Sequence, residues 1–166
     1  MTVVDNHIAH HKHVQALYET LLADIPGIKV HGQPNMKVFD SNYWLCTITL
    51  DPDVKVKGQE NAYKTIVTGA VGGAAGVIHA ADTATTDCQP NDNVEAMRVA
   101  LDQAGIEARP VWKPMHCQPV YRNSVAYVNG VSESIFKVGM CLPAGPYVTD
   151  EDVAYIVAKI KENILS

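Results

Sequence analysis

The chain has 166 residues, of which 47 % are hydrophobic and 19 % charged, a composition typical of one globular domain. Its 13 Lys and Arg against 18 Asp and Glu leave a formal net charge of −5, which argues against partners such as nucleic acids or anionic membranes. No apolar run approaches the ~18–20 residues that cross a bilayer.

The first predicted element is a helix for which Asp5 is the candidate N-cap. Its apolar residues recur at three- and four-residue steps and share one face: Val14, Leu17, Tyr18, Leu21, Leu22 and Ile25. Pro26 and Gly27 end this helix, and a short strand is expected at about residues 28–30.

Residues 42–51, NYWLCTITLD, give the strongest strand signal because they are aromatic and β-branched. Alternation divides them between two faces that are both expected to be largely buried. One face holds Trp44, Cys46, Ile48 and Leu50, and the other holds Tyr43, Leu45, Thr47 and Thr49.

A Gly/Ala/Thr-rich insertion follows at about 53–92, with a short helix expected near residues 60–68. The next helix is predicted at 93–105, with N-cap candidates at 91–93 and Gly105 as the residue after its C-cap. Its buried positions are Val94, Met97 and Leu101.

The C-terminal part begins with a predicted strand at 106–109, IEAR, that leads into a proline-rich loop. A helix is predicted at 132–139, followed by a turn between Pro143 and Pro146. Thr149 opens the last helix with TDED, which resembles a capping box. Few strands beside several helices indicate an α+β fold, a small sheet covered on one face by helices.

The segment 105–121, GIEARPVWKPMHCQPVY, resembles the DegT/DnrJ/EryC1/StrS sugar aminotransferases. The flanking segments agree with this family in order, from DNHIAHHKHVQALY to VSESIFKVGMCLPAGPYVTDEDVAYIVAKI. The similarity covers nearly all of 3–165 except about 53–92. It implies that residues 1–166 form a single C-terminal small domain of a fold-type I PLP-dependent aminotransferase.

The resemblance also implies what the chain lacks. In the family, an N-terminal domain carries the lysine that binds pyridoxal phosphate (PLP), the aspartate that faces the pyridine nitrogen and the phosphate-binding loops. No segment of this chain resembles that domain. PLP is therefore expected in the intact enzyme and not on this chain alone, and the large domain is an expected partner.

The resemblance places the loop after IEAR near a nucleotide-sugar substrate, since the small domain closes over the active site. The implied substrate-binding residues are Arg109, Trp112, Lys113, His116 and Asn42. Rigid prolines would hold this loop ready for binding. Four of these residues also have a structural alternative: an ion pair for Arg109, core packing for Trp112, solvation for Lys113 and a turn for Asn42. His116 is the strongest candidate of the set because prolines fix its loop.

No metal is expected. His7 and His11 stand at i, i+4, a spacing found in zinc sites, but no third ligand is evident, and a solvated helix face is favoured. Cys117 lies beside His116, which raises the hypothesis of a thiolate–imidazole pair, but the side chains of adjacent residues rarely point toward each other, and this hypothesis is disfavoured. The four cysteines contain no C-x-x-C pair and are expected to be reduced, as in the cytoplasm.

The implied function is part of an amino transfer from an amino acid, glutamate being expected, to a nucleotide-linked keto-sugar in cell-surface polysaccharide biosynthesis. Two alternatives stay open: a free-standing nucleotide-sugar-binding module without catalysis, and an interaction module whose exposed apolar surface drives self-association, including a homodimer.

Overall fold

The computed structural model describes residues 3–35, 37–63 and 88–165. The described residues form an α+β fold with four α-helices and one four-stranded antiparallel sheet, as the sequence predicts. In chain order the elements are α1 (Val4–Leu22), β1 (Ile28–His31), β2 (Cys46–Leu50), α2 (Asp92–Gln103), β3 (Arg109–Pro110), α3 (Val131–Val138), β4 (Gly139–Leu142) and α4 (Asp150–Asn163). None of the helices in these ranges combines the length and apolar character that a bilayer span requires.

The strand order is β1-β2-β4-β3, and every neighbouring pair is antiparallel. Ile48 in β2 stands opposite Val30 in β1 and Met140 in β4, so the three side chains share one face. The sequence analysis missed β4, although all four of its residues are buried. A four-residue apolar run that follows a helix directly has too little periodicity to be recognised as a strand.

The hydrophobic core lies between one sheet face and the helices α1, α2 and α4, with α4 in contact with both α1 and α2. The predicted stripes of all three helices contribute to it. Its most deeply buried large side chains include Tyr18, Leu22, Met97, Leu101 and Ile160. Tyr18 also keeps its hydroxyl satisfied, because it donates a hydrogen bond of 2.9 Å to the Pro143 carbonyl.

The strand predicted at 42–51 is shorter than expected, because β2 begins only at Cys46. Tyr43 has a φ of 47°, a left-handed conformation that a pleated strand cannot contain. The amide of Trp44 donates to Asn42 Oδ1 at 3.3 Å, which builds a turn before the strand. Trp44 is therefore 61 % exposed, and the prediction that it is buried is wrong.

Three other local predictions need correction. The N-cap position of α1 is Val3 rather than Asp5, which lies in the first turn. The strand predicted at 106–109 is reduced to β3, although Ile106 and Ala108 are buried. The helix expected near 60–68 corresponds, where the chain is described, to a 3-10 turn at Gln59–Asn61, and residues 64–87 lie outside the described ranges.

The remaining helix predictions are confirmed. Gly105 has a φ of 76° just after α2, the conformation expected of a glycine that follows a C-cap. α3 spans almost the predicted residues. In α4, Thr149 Oγ1 accepts from the Asp152 amide at 3.1 Å and the Asp152 carboxylate accepts from the Thr149 amide at 2.9 Å, so the capping box is present.

Candidate functional site

The proline-rich loop leaves the edge of the sheet at β3 and is anchored there by the Val111 amide, which donates to the Gly139 carbonyl at 3.1 Å. It then forms two consecutive 3-10 turns, at Met115–Cys117 and Pro119–Tyr121. Gln118 Nε2 donates back to the Lys113 carbonyl at 3.1 Å. The loop is thus folded on itself by short-range bonds, which suits a loop that must present side chains in fixed positions.

Two tryptophans pack together at the start of this loop. The ring centroids of Trp44 and Trp112 are 5.8 Å apart and the ring planes are inclined by 34°. Both rings remain open to solvent, with 61 % of Trp44 and 66 % of Trp112 exposed. The core-packing alternative for Trp112 is therefore excluded, and the pair forms an aromatic surface at the edge of the sheet.

Asn42 and Arg109 have local partners near this surface. Asn42 is exposed and its side chain supports the turn that carries Trp44, as its structural alternative predicts. Arg109 pairs with Glu107, with a hydrogen bond of 2.9 Å from Nε to Oε1. Both members of this ion pair are largely exposed, so it contributes little to stability and can be exchanged for another anion.

His116 lies further along the same loop, in the 3-10 turn Met115–Cys117. Its Nε2 is 2.6 Å from Glu133 Oε1 in the first turn of α3, and both side chains are partly buried. The described contacts join Trp112 to Trp44 and His116 to Glu133, and they join Arg109 to neither pair. The five predicted site residues are therefore distributed over three neighbouring clusters rather than one.

Cysteines extend the cluster around His116. The ligand atoms of His116, Cys117 and Glu133 lie within 4.8 Å of one another. The thiol of Cys88 is hydrogen-bonded with Cys117. Burial, followed by that hydrogen bond and the charge of Glu133, raises the pKa of Cys88 to about 11, while the nearby charge of Lys113 lowers it.

The sequence analysis missed Trp44, Glu133 and Cys88 as candidate site residues. Trp44 comes shortly after Ser41 and Asn42, two residues that favour turns. These residues indicate that Trp44 belongs to the turn before the strand rather than to the strand itself. Glu133 and Cys88 are far from the loop in sequence, and no spacing rule predicts that they meet His116 and Cys117.

The N-terminal histidines do not assemble a metal site in the described part of the chain. His7 is exposed, and His13 Nε2 lies 2.8 Å from Asp150 Oδ1. The Nε2 atoms of His10 and His11 are buried without a described hydrogen-bond partner. Within the described ranges, three close metal-ligating side chains occur together at His116, Cys117 and Glu133 and not on α1.

The described residues do not fit PLP. A lysine that holds this cofactor needs a pocket in which the ring is enclosed and its nitrogen is paired. The described lysines are all exposed or half-buried: Lys12, Lys29, Lys37, Lys55, Lys57, Lys113, Lys137, Lys159 and Lys161. An open groove lined by residues 33–34 and 39–41 contains none of them.

Comparison with known proteins defines the class to which this fold belongs. The chain is a member of the DegT/DnrJ/EryC1/StrS aminotransferase family, whose model matches residues 60–161. It is 25 % identical over 161 residues to EpsN of Bacillus subtilis (strain 168), which is assigned by its name to the pyridoxal phosphate-dependent aminotransferases. That similarity covers 95 % of this chain and 31 % of EpsN.

Two solved structures show the same fold. The aminotransferase TlmJ from Streptoalloteichus hindustanus superposes with a TM-score of 0.65 at 13 % identity, over 97 % of this chain and 32 % of TlmJ. DesI, crystallised in the presence of its TDP-sugar product, superposes with a TM-score of 0.65 at 16 % identity, over 97 % of this chain and 32 % of DesI. The chain spans about a third of the length of these relatives.

Proposed function

We propose that this chain is the small domain of a PLP-dependent sugar aminotransferase and that it holds the nucleotide-sugar substrate at the Trp44–Trp112 surface. The observation that carries this proposal is the exposed tryptophan pair beside a rigid loop, in a chain of an aminotransferase family. Large exposed indoles are costly to leave in water and are well suited to stack on a nucleobase or a sugar ring.

Polar side chains around this surface suit the rest of such a ligand. Arg109 can exchange its exposed Glu107 partner for a diphosphate, because a guanidinium binds phosphate through two parallel hydrogen bonds. Lys113 and His116 follow in the same loop and supply further donors, and Asn42 lies two residues before Trp44. DesI, which has this fold, was crystallised with a TDP-sugar, so this ligand class is the first to test.

The chemical step belongs to the intact enzyme. PLP supplies the electron sink for amino transfer, and the described residues offer no site for it, so a separate PLP-binding domain is the required partner. In this arrangement the small domain closes over the substrate, with glutamate as amino donor and a nucleotide-linked keto-sugar as acceptor. The reaction would serve cell-surface polysaccharide synthesis in the cytoplasm.

The alternative function, an interaction module, rests on a different observation. The end of the proline-rich loop and the segment that follows it expose a run of apolar side chains: Val120, Val125, Tyr127, Val128 and Val131. An exposed apolar run of this kind fits a protein partner, either the PLP-binding domain or a second copy of the chain. It does not predict saturable binding of a nucleotide-sugar, which separates it from the first proposal.

Tryptophan fluorescence tests the proposal directly, because the chain contains two tryptophans and both form the candidate surface. Titration with TDP-glucose is expected to change this emission saturably, with UDP-glucose and TDP as comparison ligands. Trp112→Ala leaves Trp44 as the reporter and should weaken binding by roughly 5- to 150-fold, the equivalent of about 1–3 kcal/mol of stacking.

Tyr147→Ala is the matched control, since it removes an aromatic ring that is 90 % exposed in the turn before α4. Its affinity for TDP-glucose should equal that of the wild type. The proposal is overturned if none of the three nucleotides gives a saturable response, or if Trp112→Ala binds as tightly as Tyr147→Ala.

A further inference from the structure

Three side chains with metal-binding atoms meet where the proline-rich loop contacts the start of α3. His116 and Cys117 come from the 3-10 turn Met115–Cys117, and Glu133 comes from the first turn of α3. Their ligand atoms lie within 4.8 Å of one another. Cys88, from a distant part of the sequence, lies beside this group through a hydrogen bond with Cys117, and it would have to move closer to the other ligands to complete a four-ligand site.

The spacing of these atoms is close to that of a tetrahedral metal site. Zinc binds sulfur at about 2.3 Å and nitrogen or oxygen at about 2.0–2.2 Å, so neighbouring ligands of one tetrahedral ion are roughly 3.3–3.8 Å apart. The separations among His116, Cys117 and Glu133, all within 4.8 Å, need to close by at most about 1.5 Å. His116 Nε2 and Glu133 Oε1, now 2.6 Å apart, need to open by roughly 0.7–1 Å.

The types of ligand atom also indicate which metal ion the site would bind. Two thiols, one imidazole and one carboxylate combine soft, intermediate and hard ligands, and this set suits zinc rather than magnesium or calcium, which prefer oxygen alone. We propose that Cys88, His116, Cys117 and Glu133 bind one Zn²⁺ ion. This site departs from the sequence-based expectation that the chain binds no metal.

The surrounding charge is favourable. Two thiolates and one carboxylate exceed the charge of the zinc ion, which leaves the site with an excess of one negative charge. Lys113 lies close enough to Cys88 to stabilise its thiolate, and its ammonium group can offset that excess. Zinc would thus find three ligands already close together, a fourth beside them and a compensating cation nearby.

The role of the ion would be to fix the loop. A bound zinc would join the proline-rich loop to α3 and to residue 88, three segments that are separated in the chain. Metal–ligand bonds of this kind are stronger than the hydrogen bonds they replace and stabilise the folded state directly. The zinc site shares His116 and Lys113 with the proposed substrate site, so its test uses zinc as the only ligand and does not depend on the two tryptophans.

The test uses the purified full chain under reducing conditions, with zinc as the only added ligand. One equivalent of zinc is expected to bind, as measured by competition with a chromogenic chelator and by elemental analysis after gel filtration. Cobalt substituted for zinc should show the intense visible absorption of a tetrahedral ion and a thiolate-to-cobalt band in the near ultraviolet. Zinc should also raise Tm, because it binds the folded state.

Single variants test the individual ligands. Cys88→Ser and Cys117→Ser should each weaken zinc binding by at least about 100-fold and remove part of the thiolate-to-cobalt band. Glu133→Gln removes the carboxylate without changing the size of the side chain and tests its contribution to zinc binding. His7→Gln is the control for adventitious binding on α1, because it removes the i, i+4 histidine pair and should leave the affinity unchanged.

Three results would overturn the zinc site. The first is a reduced chain that retains no zinc after gel filtration. The second is loss of binding in His7→Gln with retention in Cys117→Ser. The third is a cobalt spectrum without a thiolate band. Circular dichroism of each variant shows whether it is folded, and if the cysteine variants are unfolded, the cobalt spectrum of the wild type still decides the result.

Discussion

Thr149 and Asp152 stabilise the start of α4 through reciprocal hydrogen bonds. Thr149→Ala should lower the free energy of unfolding by about 1 kcal/mol, because the Asp152 amide loses its acceptor at the helix end. Thr149→Ser keeps that acceptor and should be nearly neutral. Urea denaturation of the two variants at neutral pH makes the comparison, and equal losses would show that the hydroxyl has no capping role.

The pH dependence of this contact has a defined sign. The hydrogen bond from the Thr149 amide, and then that from its hydroxyl, hold the pKa of the Asp152 carboxyl below its usual value. A depressed pKa in the folded state contributes stability above the unfolded pKa of about 3.9, and this contribution is lost as the pH falls through the folded value. The destabilisation caused by Asp152→Ala should therefore be largest above about pH 4 and shrink in more acidic solution.

The N-cap residue could be predicted from the sequence for α4 but not for α1. TDED places a hydroxyl and a carboxylate at the two positions of a capping box, and both bonds form. Asp5 has the right chemistry for an N-cap, but the helix begins one residue before it. The apolar stripe predicted α1, but a single capping-type residue near its start did not locate its first residue, whereas the two reciprocal residues of the capping box did so for α4.

Gly139 lies at the junction where α3 passes directly into β4. A Cβ atom built there would be 2.8 Å from the Ile135 carbonyl oxygen and 2.8–2.9 Å from the methyl groups of Val111. Gly139→Ala should destabilise the protein by about 1–3 kcal/mol, since a backbone oxygen cannot move aside as a side chain can. Thermal or urea unfolding measures the loss.

Gly145→Ala is the control for this substitution. A Cβ at Gly145 meets no atom within 4 Å, and its φ lies outside the left-handed region, so the variant should unfold at or slightly above the wild-type denaturant concentration. If both variants behave alike, close packing at the junction of α3 and β4 does not account for the glycine.

Periodicity over ten or more residues predicted the helices, while the strands depended on contacts that sequence does not contain. The stripes of α1, α2 and α4 are buried as expected. β4 is too short to show alternation, and it is a strand because β2 and β3 pair with its two edges. At residues 42–51, turn bonds from Ser41 and Asn42 overrode the strand propensity of Tyr43 and Trp44.

The sequence also predicted only part of the candidate site: it indicated the loop but not the residues that contact it. The proline-rich loop could be found from its composition and its resemblance to a family, and it carries Trp112 and His116. Their partners, Trp44 and Glu133, are brought close by the pairing of β2 with β4 and by the position of α3. Because such contacts depend on tertiary structure, no local sequence pattern predicted them.

The whole chain should not transfer amino groups by itself. Its described lysines lie at or near the surface, and PLP chemistry requires an enclosed lysine and a partner for the ring nitrogen. With PLP, glutamate and a nucleotide-linked keto-sugar supplied, we expect no amino sugar above the rate without protein. Mass spectrometry of the sugar product measures this, with an intact family enzyme as the positive control, and turnover by the 166-residue chain would contradict the small-domain assignment.

Pro110 lies in β3, which is an edge strand of the sheet formed by the described residues. The amide of its neighbour Val111 points inward to Gly139, so the backbone nitrogen of Pro110 faces outward, where it has no hydrogen to donate. A strand from another molecule would find one rung of the ladder missing at this edge, which is only two residues long. The same proline that begins the loop therefore disfavours the pairing of a strand from another molecule with β3.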